Sequence, residues 1–133
     1  GVKDATSDIS RIKQHKELCK NDFIQLSGED ETIYDYMING GQGCISVTAN
    51  ILPKICSDMH KAFSNNDLIE AKKLNEILMP LHKALFVETS PSPVKYILSK
   101  MDLIDYEIRL PLVEIRNETK DILDKIINDL EIG

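Results

Sequence analysis

Long apolar runs are missing from this sequence. No stretch approaches the roughly 18 consecutive apolar residues of a membrane span, which excludes a transmembrane helix. Positive charge is scarce as well: 16 Lys and Arg against 22 Asp and Glu leave a net charge of −6. With no basic cluster to override that balance, a nucleic-acid binder held by phosphate contacts is excluded. Cysteine is sparse, and Cys19, Cys44 and Cys56 are odd in number, widely spaced and without a CxxC. Neither a disulfide framework nor a zinc site follows, and the expected compartment is reducing and cytoplasmic. His15, His60 and His82 lie far apart and each reads as a helix-face residue, so no metal trio is expected. There is no internal repeat and no low-complexity stretch.

What is present is an ordinary globular composition. The 133 residues are 42% hydrophobic and 29% charged, enough to repay the cost of ordering one sizeable core. The chain opens Gly1-Val2-Lys3-Asp4, which carries neither an initiator Met nor the charged and apolar regions of a signal peptide. It reads as the tail of a strand, so the expectation is a fragment or truncated form of something longer.

The first half alternates short apolar runs with helical patterns. Gly1 to Lys3, Phe23 to Leu26 and Cys44 to Val47 read as strands. Between the first two, Ile9, Ile12, Leu18 and Cys19 fall at helical spacing, with Ser7 or Asp8 as N-cap. Between the second and third lie Ile33, Tyr36 and Met37, opened by an Asp30 cap and closed by Gly40 in a left-handed C-cap. Gly40-Gly41-x-Gly43 precedes a strand rather than opening a helix, so it reads as a tight αβ turn, not a phosphate cradle. After the third strand Pro53 suits a first helical turn, and Leu52, Ile55, Cys56, Met59 and Phe63 form one apolar stripe. The three cysteines fall on apolar positions and read as core thiols.

From about residue 66 the strands stop. Leu68, Ala71, Leu74, Leu78 and Leu81 predict a long helix bent at Pro80. Val94, Ile97 and Met101 predict a shorter one after Pro91 and Pro93, and Ile122 to Leu130 a last amphipathic one. Three βα units in 66 residues match the tempo of a (β/α)8 barrel but supply under half its strands. An open three-stranded sheet leaves two unpaired edges, which natural proteins avoid. The expected fold is therefore α/β: the last three βα units of a (β/α)8 TIM barrel over residues 1–66, followed by an all-helical C-terminal extension over residues 67–133.

Catalytic groups of such barrels stand at the C-terminal strand ends. Lys3-Asp4-Ala5-Thr6, Ser27-Gly28-Glu29-Asp30 and Ser46-Val47-Thr48-Ala49-Asn50 occupy those positions. A lysine partly desolvated inside a barrel has a lowered pKa, and its neutral amine can attack a ketone to form a Schiff base. The alternative is a solvated Lys3, or one paired with Asp4. Glu29 and Asp30 invite an acid–base reading, against which Asp30 is better placed as a helix cap.

Gly1-Val2-Lys3-Asp4-Ala5-Thr6 resembles the Schiff-base lysine strand of the dihydrodipicolinate synthase family. Leu26-Ser27-Gly28-Glu29-Asp30 is similar to its next strand end, and Gly40 to Asn50 followed by Pro53 to its final barrel strand. Leu78 to Glu88, Pro93-Val94-Lys95 and Arg109-Leu110-Pro111-Leu112 carry the resemblance through the helical extension, in order over nearly the whole chain. The resemblance implies the C-terminal half of a lyase that condenses pyruvate with aspartate-4-semialdehyde in lysine and diaminopimelate biosynthesis, without cofactor or metal. By resemblance Lys3 forms the imine with pyruvate, the backbone of Ile45 lines the pyruvate site, and Gly28 sits beside it. A homotetramer is implied, with the helices around Ile9 and Tyr34 to Ile38 as part of a subunit contact. The chain departs from the family pattern at Ser7, where glycine is usual, and in Ser90-Pro91-Ser92-Pro93-Val94-Lys95, where the family usually has Asn-Pro-x-Pro-Val-Lys and Ser90 replaces the Asn. The tyrosine and threonine proton relay, the arginine for the second substrate and the lysine-feedback site belong to the family's N-terminal half, and no replacement for the relay is evident among Tyr34, Tyr36, Tyr96 and Tyr106. The chain alone is therefore expected to be inactive. The alternatives are a sibling aldolase such as N-acetylneuraminate lyase, or a non-enzymatic remnant.

Overall fold

A computed structural model describes residues 1–132. Three short parallel strands, β1 (Val2–Asp4), β2 (Gln25–Ser27) and β3 (Gly43–Cys44), form one sheet in the order β1-β2-β3. Lys3 is opposite Leu26 and Leu26 opposite Gly43; Asp4 is opposite Ser27 and Ser27 opposite Cys44. Helix α1 (Ser10–Leu18) connects the first pair and α2 (Ile33–Ile38) the second. A 3₁₀ turn, Thr48–Asn50, leads into α3 (Pro53–Ser64), α4 (Leu68–Ala84), α5 (Ser92–Lys100) and α6 (Asn117–Asp129). No helix among the described residues is long and apolar enough to cross a membrane.

The βα alternation was legible; the boundaries needed correction. The last strand stops at Cys44 instead of reaching Val47, because the backbone turns at Val47 into the 3₁₀ segment. The middle strand begins at Gln25, two residues after Phe23. Neither Ser7 nor Asp8 is the N-cap of α1: Ile9 holds that position, and the Asp8 carboxylate instead accepts from the Ser10 amide and hydroxyl at 3.0 and 2.7 Å. Gly40 does take the left-handed conformation, with φ +96°. Its amide donates to Met37 O and the Gly41 amide to Tyr36 O, both at 3.0 Å, the paired bonds that close a helix when a residue without Cβ follows it. A side chain at Gly41 would collide with the Tyr36 ring, so the turn packs directly on the helix it ends.

Helix α4 is the spine of the molecule. Asp67 caps it by accepting the Glu70 amide at 3.0 Å, and His82 and Lys83 lie in its last turn, where positive charge suits the helix dipole. It runs through Pro80 without interruption. Ala71 and Leu78 join Ile33, Cys56, Met59 and Ala62 in one hydrophobic cluster. Leu81 and Ala84, with Leu85, join Ile51, Val94, Ile97, Ile115 and Leu123 in the other. Both clusters therefore cross residue 66, and the helical extension shares its core with the βα units.

Because Leu81 is fully buried, Leu81→Ala should cost about 2–5 kcal/mol of stability. Ile69, 85% exposed on the same helix, should cost less than about 0.5 kcal/mol when changed to Ala. Urea unfolding of both variants checks the contrast.

Candidate active site at the strand ends

The sheet ladder continues one rung past the strands. The Gly28 amide donates to Asp4 O at 2.7 Å and the Ile45 amide to Ser27 O at 2.8 Å. Since side chains alternate along a strand, Ala5, Gly28 and Ile45 fall on the face that carries Lys3 and Leu26. Asp4, Ser27 and Cys44 fall on the other face, toward the helices. Lys3, Gly28 and Ile45 are thus gathered at one end of one face, although 42 positions separate the first from the last.

Gly28 is required there by space. A Cβ at this position would lie 2.6 Å from Lys3 Cε and 2.9 Å from Ala5 Cβ. The lysine side chain therefore passes directly over the glycine. Lys3 is exposed, the solvated one of the two readings offered for it. Its face of the sheet is open: Ile24 and Ile45 are each about half exposed on it (53% and 51%). Nor does Lys3 pair with Asp4.

Asp4 instead turns to the helical side and is buried. Its carboxylate accepts from the Thr6 amide at 3.0 Å, the Thr6 hydroxyl at 2.6 Å and Arg11 Nε at 2.6 Å. Burial alone would raise its pKa, but these hydrogen bonds and the Arg11 charge outweigh that and hold it below the usual carboxylate value. The turn they fix includes Ser7 at φ +60°, a left-handed conformation that costs a residue with a Cβ about 1 kcal/mol. Ser7, where the resemblance leads one to expect glycine, adopts this conformation at that cost.

Asp30 is also buried, and it does not cap α2 as its position suggested. The N-cap of α2 is Thr32 and has no side-chain cap bond. The Asp30 carboxylate reaches across to the segment after β3, where Oδ2 accepts the Val47 amide at 2.7 Å and the Thr48 amide at 3.3 Å. It holds the first turn of the 3₁₀ segment, satisfying two amides with charge-assisted hydrogen bonds. Thr48, itself fully buried, lies 2.7 Å through Oγ1 from His82 Nδ1 on α4. His82 is buried too, and its Nε2 has no partner among the described residues.

The remaining candidates are placed elsewhere. Ser27 Oγ closes a local turn with the Glu29 backbone, and Glu29 has no part in the Asp30 contacts. His15 faces Gln25 Oε1 at 3.1 Å, and His60 Nε2 lies 3.4 Å from Cys44 Sγ. Burial pushes the Cys44 thiol up to about 12 and that of Cys56 up to about 11, which makes both poor nucleophiles. Cys19 is only partly buried, and so is Cys44, so of the three only Cys56 is a fully buried core thiol. Tyr34 packs on Phe63, Tyr96 donates to Asp124, and the Tyr106 hydroxyl accepts the Ile115 amide, all away from the strand ends. Sequence reasoning missed the Asp4–Arg11 pair and the Asp30–Thr48–His82 set. One signal existed for the latter: His82 lies on the apolar stripe of α4, four residues after Leu78.

Comparison with known proteins gives a consistent family. The model of the dihydrodipicolinate synthetase family matches residues 1–130. A 4-hydroxy-tetrahydrodipicolinate synthase of Pelagibacter ubique is 47% identical over 130 residues, covering 96% of this chain and 44% of that protein. One of Bradyrhizobium diazoefficiens is 48% identical over 120 residues, covering 90% of this chain and 40% of that protein. The chain thus spans less than half the length of the curated relatives it matches. Among solved structures, a dihydrodipicolinate synthase from Acinetobacter baumannii in complex with pyruvate superposes over 100% of this chain and 46% of that one, with TM-score 0.93 and 40% identity. The Thermotoga maritima enzyme gives TM-score 0.93 at 34% identity, over 98% of this chain and 45% of its own.

Burial holds His60 and His82 below the ordinary histidine value, although the nearby Asp30 and Glu31 charges pull His82 the other way. Unfolded imidazoles titrate near about 6.5, so below that pH the unfolded chain binds protons that the native one refuses, and stability falls with pH. Asp4, its pKa lowered from 3.8, adds a loss of the same sign only at more acidic pH. The urea midpoint is therefore expected to drop between about pH 7.5 and about pH 5, and an unchanged midpoint contradicts the burial argument.

Proposed function

The chain belongs to the dihydrodipicolinate synthetase family, and on that premise we propose that it is the C-terminal part of a lyase joining pyruvate to aspartate-4-semialdehyde. Residues 1–66 then supply three of the strands of a (β/α)8 barrel, and residues 67–133 the helical extension packed against them. The observation that carries the reading is the convergence of Lys3, Gly28 and the Ile45 backbone on one face at the strand ends.

In this reading the neutral Lys3 amine attacks the pyruvate ketone carbon. The carbinolamine loses water, and Lys3 Nζ becomes the nitrogen of a protonated imine. That iminium withdraws electrons, so the pyruvate methyl group can lose a proton and attack the aldehyde of the second substrate. Gly28 leaves the space through which the lysine reaches the ligand. The Ile45 amide is already committed to Ser27 O, so its carbonyl is the backbone group left to face the pocket. Backbone dipoles fixed in this way stabilise charge without having to reorganise during reaction.

The same features argue that the 133 residues do not turn over alone. Lys3 stands on an open face, and the relatives are more than twice as long. The homotetramer implied by the resemblance would draw on the surface around Ile9 and Ile38, the latter 47% exposed.

Incubation with pyruvate and borohydride, followed by peptide mapping, tests the proposal. A reduced adduct on Lys3 is expected once the chain is fused behind the N-terminal part of the Pelagibacter ubique relative, with a weaker one or none on the chain alone. In the fusion, Gly28→Ala should slow trapping by about a hundredfold while the fold is retained, because the added Cβ displaces the lysine by about 1 Å. Absence of any Lys3 adduct in the fusion overturns the imine role.

A further inference from the structure

The segment that carries Ile45 is stitched to its neighbours at every step. Ile45 N–H is held by Ser27 O, the amides of Val47 and Thr48 are both held by Asp30 Oδ2, and Ser46 Oγ accepts the Ala49 amide at 2.9 Å. Thr48 Oγ1 then meets His82 Nδ1 at 2.7 Å, tying the turn to the spine helix. Asp30, Thr48 and His82 are each at least 98% buried and come from three separate parts of the chain. Asp30 Oδ1 and His82 Nε2 have no partner among the described residues.

A stability argument alone does not account for this set. A buried carboxylate with one unpartnered oxygen and a buried imidazole with one unpartnered nitrogen are expensive, and an apolar cluster of the same volume would hold the helix as well. What the polar set supplies is direction. Two amides converge on one carboxylate oxygen, which leaves the turn from Ile45 to Thr48 one orientation relative to the end of β2, where Gly28 lies.

We propose that Asp30, Thr48 and His82 are positioning residues of the pyruvate site, fixing the turn after β3 so that the Ile45 backbone is presented to the ligand beside Lys3 and Gly28. This rests on the imine reading above and extends it: the helical extension becomes part of the site through His82. None of the three touches the ligand. Their contribution is to binding geometry, so it bears on pyruvate affinity more than on the maximal rate.

The test uses the fusion with the N-terminal part and reads two quantities. Amide hydrogen exchange at Val47 and Thr48 reports the lock without requiring pyruvate. The pyruvate concentration that half-saturates borohydride trapping on Lys3 reports its consequence. Thr48→Val removes the hydroxyl at nearly constant volume, Asp30→Asn weakens the acceptor, and Thr48→Ser restores the hydroxyl. In Thr48→Val and Asp30→Asn both amides should exchange faster while α6 is unchanged. Half-saturating pyruvate should rise about tenfold in these variants, with the maximal trapping rate within about twofold. Thr48→Ser should return both readouts to parent values. Faster exchange with unaltered half-saturation reduces the set to a structural lock and overturns the positioning role, and unaltered exchange overturns the lock itself. Failure of the unsubstituted fusion to form any adduct is a separate result, which removes the imine reading and the positioning role with it.

Discussion

A buried carboxylate accepting backbone amides is the constraint on which this structure turns. Asp30, just beyond β2, reaches the segment after the neighbouring β3 and satisfies the amides of Val47 and Thr48. A charge placed in a dry interior is tolerated only where donors surround it, so the segments that bring those donors cannot drift without exposing the cost. Asp4 does the same for the end of β1 with Thr6 and Arg11. The end of β1 is thus anchored from the helical side, and the segments after β2 and β3 are tied to each other. Lys3, Gly28 and Ile45 lie on the opposite face.

The division of labour between the two faces follows from the period of a strand. Alternate residues point apart, so a reactive lysine and an anchoring aspartate can be chain neighbours and still serve different layers. Lys3, the lysine proposed to form the imine, and Asp4 are that pair. A buried polar residue therefore stands beside an exposed lysine without contradiction, Asp4 anchored on the helical side and Lys3 on the opposite face. The energetic support comes from further away. Helix α4 contributes to both hydrophobic clusters and delivers His82 to Thr48, so the packing of the helical part reaches the strand ends through one side chain.

Much of this was legible in the sequence, for reasons that differ by residue. The βα alternation followed from apolar runs against helical spacing, and Gly40 closed α2 as its freedom at positive φ allows. Pro53 marked a helix start because a residue with no amide to satisfy suits a first turn; the Asp67 cap of α4 went unread. The site residues Lys3, Gly28 and Ile45 were named through family resemblance and their place at strand ends. Long-range pairing was not legible. Asp30 sits where an N-cap belongs, and nothing local reveals that its carboxylate is used seventeen positions away. His82 differs from its apolar neighbours only by polarity. For Lys3 the sequence left two readings open, desolvated in a closed barrel or solvated, and the open face in these 133 residues fits the second.

The central claim is that anchored strand ends bring Lys3, Gly28 and the Ile45 backbone around one ligand. The most direct measurement is a crystal structure of the fusion with the N-terminal part, reduced with borohydride in the presence of pyruvate. The account predicts continuous density from Lys3 Nζ into the ligand, with Gly28 beneath the lysine and the Ile45 backbone alongside. Ligand bonded to a different lysine, or Lys3 directed away from Gly28 with the Asp30 contacts intact, would contradict it.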